Sequence, residues 1–237
     1  MRFRFRTIPF LATLLLVALG LALGNWQTRR AAEKLALQAR LQQRAAQAPL
    51  VLDGANIDPA TLEYRRVVAA GTFIPNWTLF LDNRPLDGRA GFVVVTPLQI
   101  AGTRRVVLVE RGWLARGAGA RDRAPVAPAP AGPQLVEGTA VLHAARVMDL
   151  GTPPPPTPGA LVQNLDVAAF ARASGLDVLP VLIEQSGAGE GGLVRQWPPP
   201  ALDVDRHKGY AFQWYALAAM AFLFFVITGF RRASKPA

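Results

Sequence analysis

The 237-residue sequence contains no cysteine, which excludes disulfides, thiolate zinc sites, iron–sulfur ligation and a cysteine nucleophile. Histidine is nearly absent too, with only His143 and His207. No multi-histidine metal site can therefore form within one chain, and any imidazole chemistry falls to one of these two residues. Lysine supplies only three of the 26 basic residues, a bias read as genomic base composition. Charged residues amount to 18% against 51% hydrophobic, too apolar a composition for a wholly disordered chain. The formal charge of +10 is concentrated at the ends. Arg2, Arg4, Arg6, Arg231, Arg232 and Lys235 carry six of the 26 basic residues, with no acid in either tail. Between the tails 20 basic residues face 16 acidic ones, without a Lys/Arg-dense helix or an aromatic-interleaved patch, so no nucleic-acid partner is expected.

What the chain does have is two long uncharged runs. Ile8 to Gly24 gives 17 residues, which as a helix reach roughly 25 Å, the short end of what spans a bilayer. Pro9 falls in the first turn, where its missing N–H is harmless, and Trp26 follows at interface level. The Arg-rich start and Ala22-x-Gly24 also fit a cleaved signal peptide, so the residues alone leave both readings open. Tyr210 to Phe230 gives 21 uncharged residues with Tyr210, Trp214 and Tyr215 at its start and Arg231-Arg232 after it. A run of this length without a solvent face predicts a second span. Basic residues at both outer ends put both termini in the cytoplasm by the positive-inside rule, although Arg29, Arg30, Lys34, Arg40 and Arg44 follow the first span. With no room for an amphipathic presequence before residue 8, a bacterial inner membrane is the expected location, the middle of the chain facing the periplasm.

The expected organisation is a basic tail (1–7), a first transmembrane helix (8–24), a periplasmic β-rich domain (25–209), a second transmembrane helix (210–230) and a basic tail (231–237). Arg29 to Gln47 lacks Gly and Pro and is rich in helix formers, which predicts a helix continuing the first span until Pro49. Beyond it, Tyr64–Phe73, Trp77–Asn83, Phe92–Ile100, Val106–Trp113 and Gln134–His143 read as strands, with Leu161–Asn164 and Val178–Gln185 added. Asp166–Ser174 reads as a short helix closed by Gly175. The fold class is thus two transmembrane α-helices flanking a mostly antiparallel β domain, sheet or barrel, with one or two short helices. The Pro-rich runs Pro125–Pro133 and Pro153–Pro158 read as loops.

Little catalytic chemistry is visible. Gly187 to Gly192 satisfies the dinucleotide-binding pattern, but Trp197-Pro198-Pro199-Pro200 blocks the helix whose N-terminus a pyrophosphate needs. No nucleophile elbow, P-loop or paired-histidine zinc motif is present. His143 closes a predicted strand and reads as solvated. His207 stands three residues before Tyr210 and seven before Trp214, one helical face if the second helix extends backward by a turn. Two readings compete for it: an interfacial residue flanked by the snorkelling Arg206 and Lys208, or an axial ligand to haem iron with those cations near the propionates.

Several landmarks then appear in order. Gly24-Asn25-Trp26-Gln27-Thr28-Arg29-Arg30 through Lys34, Tyr64 with Gly71-Thr72-Phe73, and Gly91-Phe92 with Thr96-Pro97-Leu98 come first; Arg111-Gly112-Trp113-Leu114 and His207-x-x-Tyr210-Ala211-x-Gln213-Trp214 follow. The set resembles the surfeit locus protein 1 family across residues 23–230, with Glu110 where that family often carries Asn. Because Trp26 and Gln27 belong to the signature, the resemblance implies a retained first span. It also implies a non-enzymatic, chaperone-like assembly factor for haem-copper cytochrome c oxidase that aids haem a delivery to the catalytic subunit. On that reading His207 is the iron ligand, Arg206, Tyr210 and Trp214 complete the cofactor-binding set, and haem a is held transiently. The expected partners are the oxidase catalytic subunit, a haem a synthase and the lipid bilayer. The alternative is a haem-free membrane scaffold that holds oxidase subunits or the synthase.

Overall fold

The computed structural model describes residues 2–3, 6–117, 125–148, 155–198 and 203–231. Arg4, Arg232 and Lys235 of the basic tails, and the prolines at 153, 154, 199 and 200, lie outside the described residues. In chain order the elements are β1 (Arg2–Phe3), α1 (Thr7–Ala45), β2 (Leu50–Val51), α2 (Pro59–Leu62), β3 (Arg66–Phe73), β4 (Leu79–Leu81), β5 (Gly91–Ile100), β6 (Arg105–Ala115), β7 (Pro133–Val141), β8 (Leu161–Val162), α3 (Val167–Ser174), β9 (Asp177–Gln185), α4 (Val204–Gly229) and β10 (Phe230–Arg231). They fall into two compact units, residues 1–40 with 200–237, and residues 41–199.

The first unit is a helix pair. The most apolar stretch of α1 and of α4 is only 11% buried in each case, which a soluble core helix could not tolerate and a lipid-facing one requires. Both helices anchor the chain in a membrane. They run antiparallel: β1 pairs with β10 through Arg2↔Arg231 and Phe3↔Phe230, and the Phe10 and Phe225 rings lie 5.9 Å apart. Each helix outruns its uncharged segment, α1 by the continuation that the sequence predicts and α4 by starting at Val204.

The second unit is built on a closed ring of five strands. β3 pairs with β7, β7 with β9, β9 with β6, β6 with β5, and the far end of β5 returns to β3 at Gly71–Phe73. Closure leaves those strands without an open edge. Residues of alternating position from all five strands, among them Val67, Ala69, Leu98, Ile100, Val107, Val109, Val136, Ala140, Val181 and Ile183, form one buried cluster, as period-two patterning requires of a barrel interior. β4 joins the start of β5, and β8 joins β4. The pairing is mostly antiparallel, with parallel contacts at β2–β3, β4–β8 and β6–β9. α3 covers the outer face; its Phe170 is fully buried against Leu108 and Leu182 and meets Trp77 edge-on at 5.5 Å.

Boundaries differ from the sequence reading where turn chemistry intervenes. The expected strand at Trp77–Asn83 shrinks to β4 because Pro75 opens a 3-10 turn through Trp77 and Asn83 takes a positive φ of 56°. Tyr64, expected in a strand, has a φ of 61° and precedes β3. The Pro-rich stretch from residue 125 is a loop, with β7 starting at Pro133, and residues 193–198 after the Gly187–Gly192 run form no helix.

Buried arginines hold the loops. Arg84, 7% exposed, donates to the carbonyls of Asp82, Ala145 and Gln163 at 2.7 Å each, and Trp113 Nε1 donates to Arg84's own carbonyl at 2.6 Å. Arg111 donates to the carbonyls of Ala127 and Pro128 at 3.2 and 2.8 Å, fixing the Pro-rich loop, and stacks 5.5 Å from the Phe73 ring centre. A bulge explains its aim. Val94 faces Gly112 while Val95 faces Glu110, so Arg111 is the extra residue. Gly112 carries a φ of 149°, and a Cβ there would sit 2.9 Å from Leu193 Cβ.

Two acids face each other in this body, Glu110 buried and Glu184 half-buried. Glu110 on β6 and Glu184 on β9 are register partners and share the outer face with Leu108 and Leu182. Burial, then the neighbouring Glu184, pushes the Glu110 carboxyl up to about 8 against the opposing pull of Arg84, and burial pushes Glu184 up to about 7. Unfolded glutamates titrate near ~4.3. Between that value and about 8 the folded protein therefore holds more protons than the unfolded chain, and its stability falls as pH rises through the window. In Glu110→Gln the full-length protein in detergent should melt a few degrees higher than wild type at pH 8 and nearly level with it at pH 5. Parallel melting curves across that range would contradict the burial account.

Candidate functional site

The place where α1 and α4 leave their uncharged runs is held by small residues first. A Cβ on Gly20 would lie 2.9 Å from both Ala218 Cβ and the Trp214 carbonyl, and one on Gly24 would lie 2.6 Å from the Tyr215 ring. Ala31, Ala211 and Ala218 are buried along the same seam. Lipid tails are as apolar as leucine, so helix pairs in a bilayer rely on this close approach and on polar contacts rather than on a hydrophobic drive.

The polar contacts lie just above it. Tyr215 Oη donates to Asn25 Oδ1 at 2.8 Å and stands 3.3 Å from Thr28 Oγ1, whose hydroxyl also donates to the Gly24 carbonyl at 2.9 Å. One turn further out, His207 Nδ1 lies 2.7 Å from Gln27 Oε1. Gln27 is 9% exposed, and His207 is half-buried. Both residues stand three positions outside their uncharged runs, so the bond closes the helix pair at its rim. A neutral hydrogen bond of this kind contributes about 0.5–1.5 kcal/mol net.

The residues singled out from the sequence are distributed as follows. His207, Tyr210 and Trp214 all lie on α4, whose start at Val204 supplies the extra turn that puts them on one face. Tyr210 is 47% exposed. Trp214 lines an apolar groove of about 640 Å³ with Leu16, Leu19 and Gly20. Arg206 is exposed and paired with Asp203 at 3.5 Å, whereas Lys208 has no acidic partner among the described residues and borders a second groove of about 420 Å³ with Ala31, Ala211 and Phe212. His143 is exposed just after β7. Sequence reasoning had Gln27 and Asn25 inside the signature but gave neither a task, since pairing across 180 and 190 positions leaves no local pattern.

The donor set fits a single-histidine metal contact. No described protein group bonds His207 Nε2, and among the described residues no cluster of three or more His, Asp or Glu groups is placed to hold a metal ion. An imidazole tied at one nitrogen and free at the other is how metal-ligating histidines are usually held.

Comparison with known proteins agrees with the sequence landmarks. The profile of the SURF1 family matches residues 14–219. A SURF1-like protein of Monosiga brevicollis is 29% identical over 221 residues, covering 86% of this chain and 81% of that protein. One from Drosophila melanogaster is 29% identical over 236 residues, covering 90% and 75%. The cytochrome oxidase assembly protein SHY1 of Saccharomyces cerevisiae is 34% identical over 95 residues, covering 39% of this chain and 24% of that protein. A match over most of the chain, carried by the helix pair and the barrel alike, makes this protein a member of the SURF1 family.

Proposed function

We propose that this protein is a membrane-anchored assembly factor for haem-copper cytochrome c oxidase that holds haem a at the periplasmic rim of the inner membrane and passes it to the catalytic subunit. The observation that carries this reading is His207, half-buried, anchored at Nδ1 and with Nε2 unclaimed among the described residues. The assembly part of the reading rests on family membership and on the stated role of SHY1. Bound haem would supply an iron that His207 Nε2 would hold. Lys208, without an acidic partner among the described residues, is the cation ready for a propionate; Arg206 first has to leave Asp203. Tyr210 and Trp214 offer aromatic surface on the same face of α4. Handover needs a hold that can be released, which one histidine allows better than a closed pair. No catalytic step is assigned, and a haem a synthase is the expected source of the cargo.

In protein purified from cells that make haem a, His207→Ala should lose the Soret band or shift it and lower the haem-to-protein ratio. An unchanged spectrum and ratio would remove His207 from the ligand role. Haem-free wild-type protein that still recovers oxidase subunits would favour the scaffold reading instead. For orientation, a periplasm-active reporter fused near residue 120 should be active and the same reporter after Ala237 silent; the reverse pattern would invert the topology.

A further inference from the structure

Gln27 offers more than a helix contact. Its Oε1 is an acceptor with no proton, and it faces His207 Nδ1 at 2.7 Å. A hydrogen bond there exists only if Nδ1 carries the proton, and a neutral imidazole that is protonated at Nδ1 has its lone pair on Nε2. Free histidine in water prefers the opposite tautomer, with the proton on Nε2 and nothing there to give an iron. The protein thus selects the minority form. The means of selection are firm: Gln27 is 9% exposed, lies one turn beyond the Gly24–Tyr215 packing contact, and its side chain makes no other hydrogen bond among the described residues.

We infer that Gln27 is a positioning residue: it sets the tautomer and ring orientation of His207 so that Nε2 presents its lone pair as a metal ligand. The link to haem rests on the function proposed above, while the tautomer itself does not. The same contact makes the imidazole a stronger donor to a metal, since a ring whose N–H is engaged by an acceptor gains electron density at the other nitrogen. It also couples the site to the helix pair, because Gln27 and His207 come from different helices and any separation of α1 from α4 releases the ring.

The test uses full-length protein in detergent, purified without a histidine tag and labelled with ¹⁵N-histidine. His143→Asn leaves His207 as the only imidazole. Spectra are taken near pH ~9, where an ordinary imidazole is neutral. The expected pattern is a protonated, pyrrole-like Nδ1 and a pyridine-like Nε2. Gln27→Leu, of similar size but without an acceptor, should move the proton to Nε2, and Gln27→Glu, which keeps an oxygen in place, should retain the wild-type pattern. A proton on Nε2 in the wild type, or the same pattern in Gln27→Leu, overturns the inference. Titration with ferric haem b, followed by absorption, gives the second readout: Gln27→Leu should bind it about 10–100-fold more weakly, and Gln27→Glu close to wild type. Equal affinity in Gln27→Leu overturns the ligand-presenting role. A wild type with the proton on Nδ1 that binds no ferric haem b sinks the haem reading and leaves Gln27 as the residue that sets the tautomer.

Discussion

Everything at the rim depends on how closely two helices approach. Where Gly20 meets Ala218 and the Trp214 carbonyl, and where Gly24 lies under the Tyr215 ring, there is no space for a Cβ. Dispersion between the two helices is therefore strong, and the polar groups one and two turns further out fall within hydrogen-bonding distance. The signature Gly24-Asn25-Trp26-Gln27-Thr28 is, residue by residue, the stretch of α1 that receives α4. Gly24 admits Tyr215, Asn25 and Thr28 meet its hydroxyl, and Gln27 takes His207. Trp26, 51% exposed, is the member that turns away, toward the interface where an amphipathic ring is favoured.

The β body solves a different problem. A closed ring of five strands leaves its connections, several of them proline-rich, with carbonyls that no ladder can satisfy. Guanidiniums take up that task. Arg84 and Arg111 gather carbonyls from distant loops, and Arg195 donates to those of Arg111, Ser186 and Ala188. The fork of an arginine suits this use better than an ammonium. The Arg111-Gly112-Trp113 landmark therefore serves the fold: a bulge, a loop clasp and an indole that holds Arg84's backbone. The acids Glu110 and Glu184 are the costly feature of the same body, since burial raises both carboxyls and the pull of Arg84 on Glu110 does not offset it.

Much of this was legible in the sequence, for identifiable reasons. The uncharged runs gave the two helices, because only lipid tolerates such surfaces, and the short β-branched, apolar runs Phe92–Ile100 and Val106–Trp113, bounded by turn residues, gave strands at the places where β5 and β6 lie. The Asp166 cap and Gly175 stop bounded α3 correctly, since both act locally. Elements of two to four residues, β2 and α2, escaped notice because so few positions cannot show a period. The parallel β6–β9 contact was hidden, being set by packing between segments about 70 residues apart, and the choice between sheet and barrel stayed open until β5 was seen to return to β3. His207 was found by its position beside Tyr210 and Trp214. Its partner was not, because a contact between residues 27 and 207 becomes visible only once the two helices are in place.

The central claim is that α1 and α4 pack as one pair through Gly20 and Ala218, and the absence of native cysteine makes it directly measurable. In native membranes, Gly20→Cys combined with Ala218→Cys should oxidise to an intramolecular disulfide, because the two Cβ positions, 2.9 Å apart, need to open by only about 1 Å to take the ~3.8 Å Cβ separation of one. The control pair Leu21→Cys with Ala218→Cys, one residue along but on the 46%-exposed side of α1, should stay reduced. Equal cross-linking of both pairs, or none in the first, would contradict the packing from which the site is built.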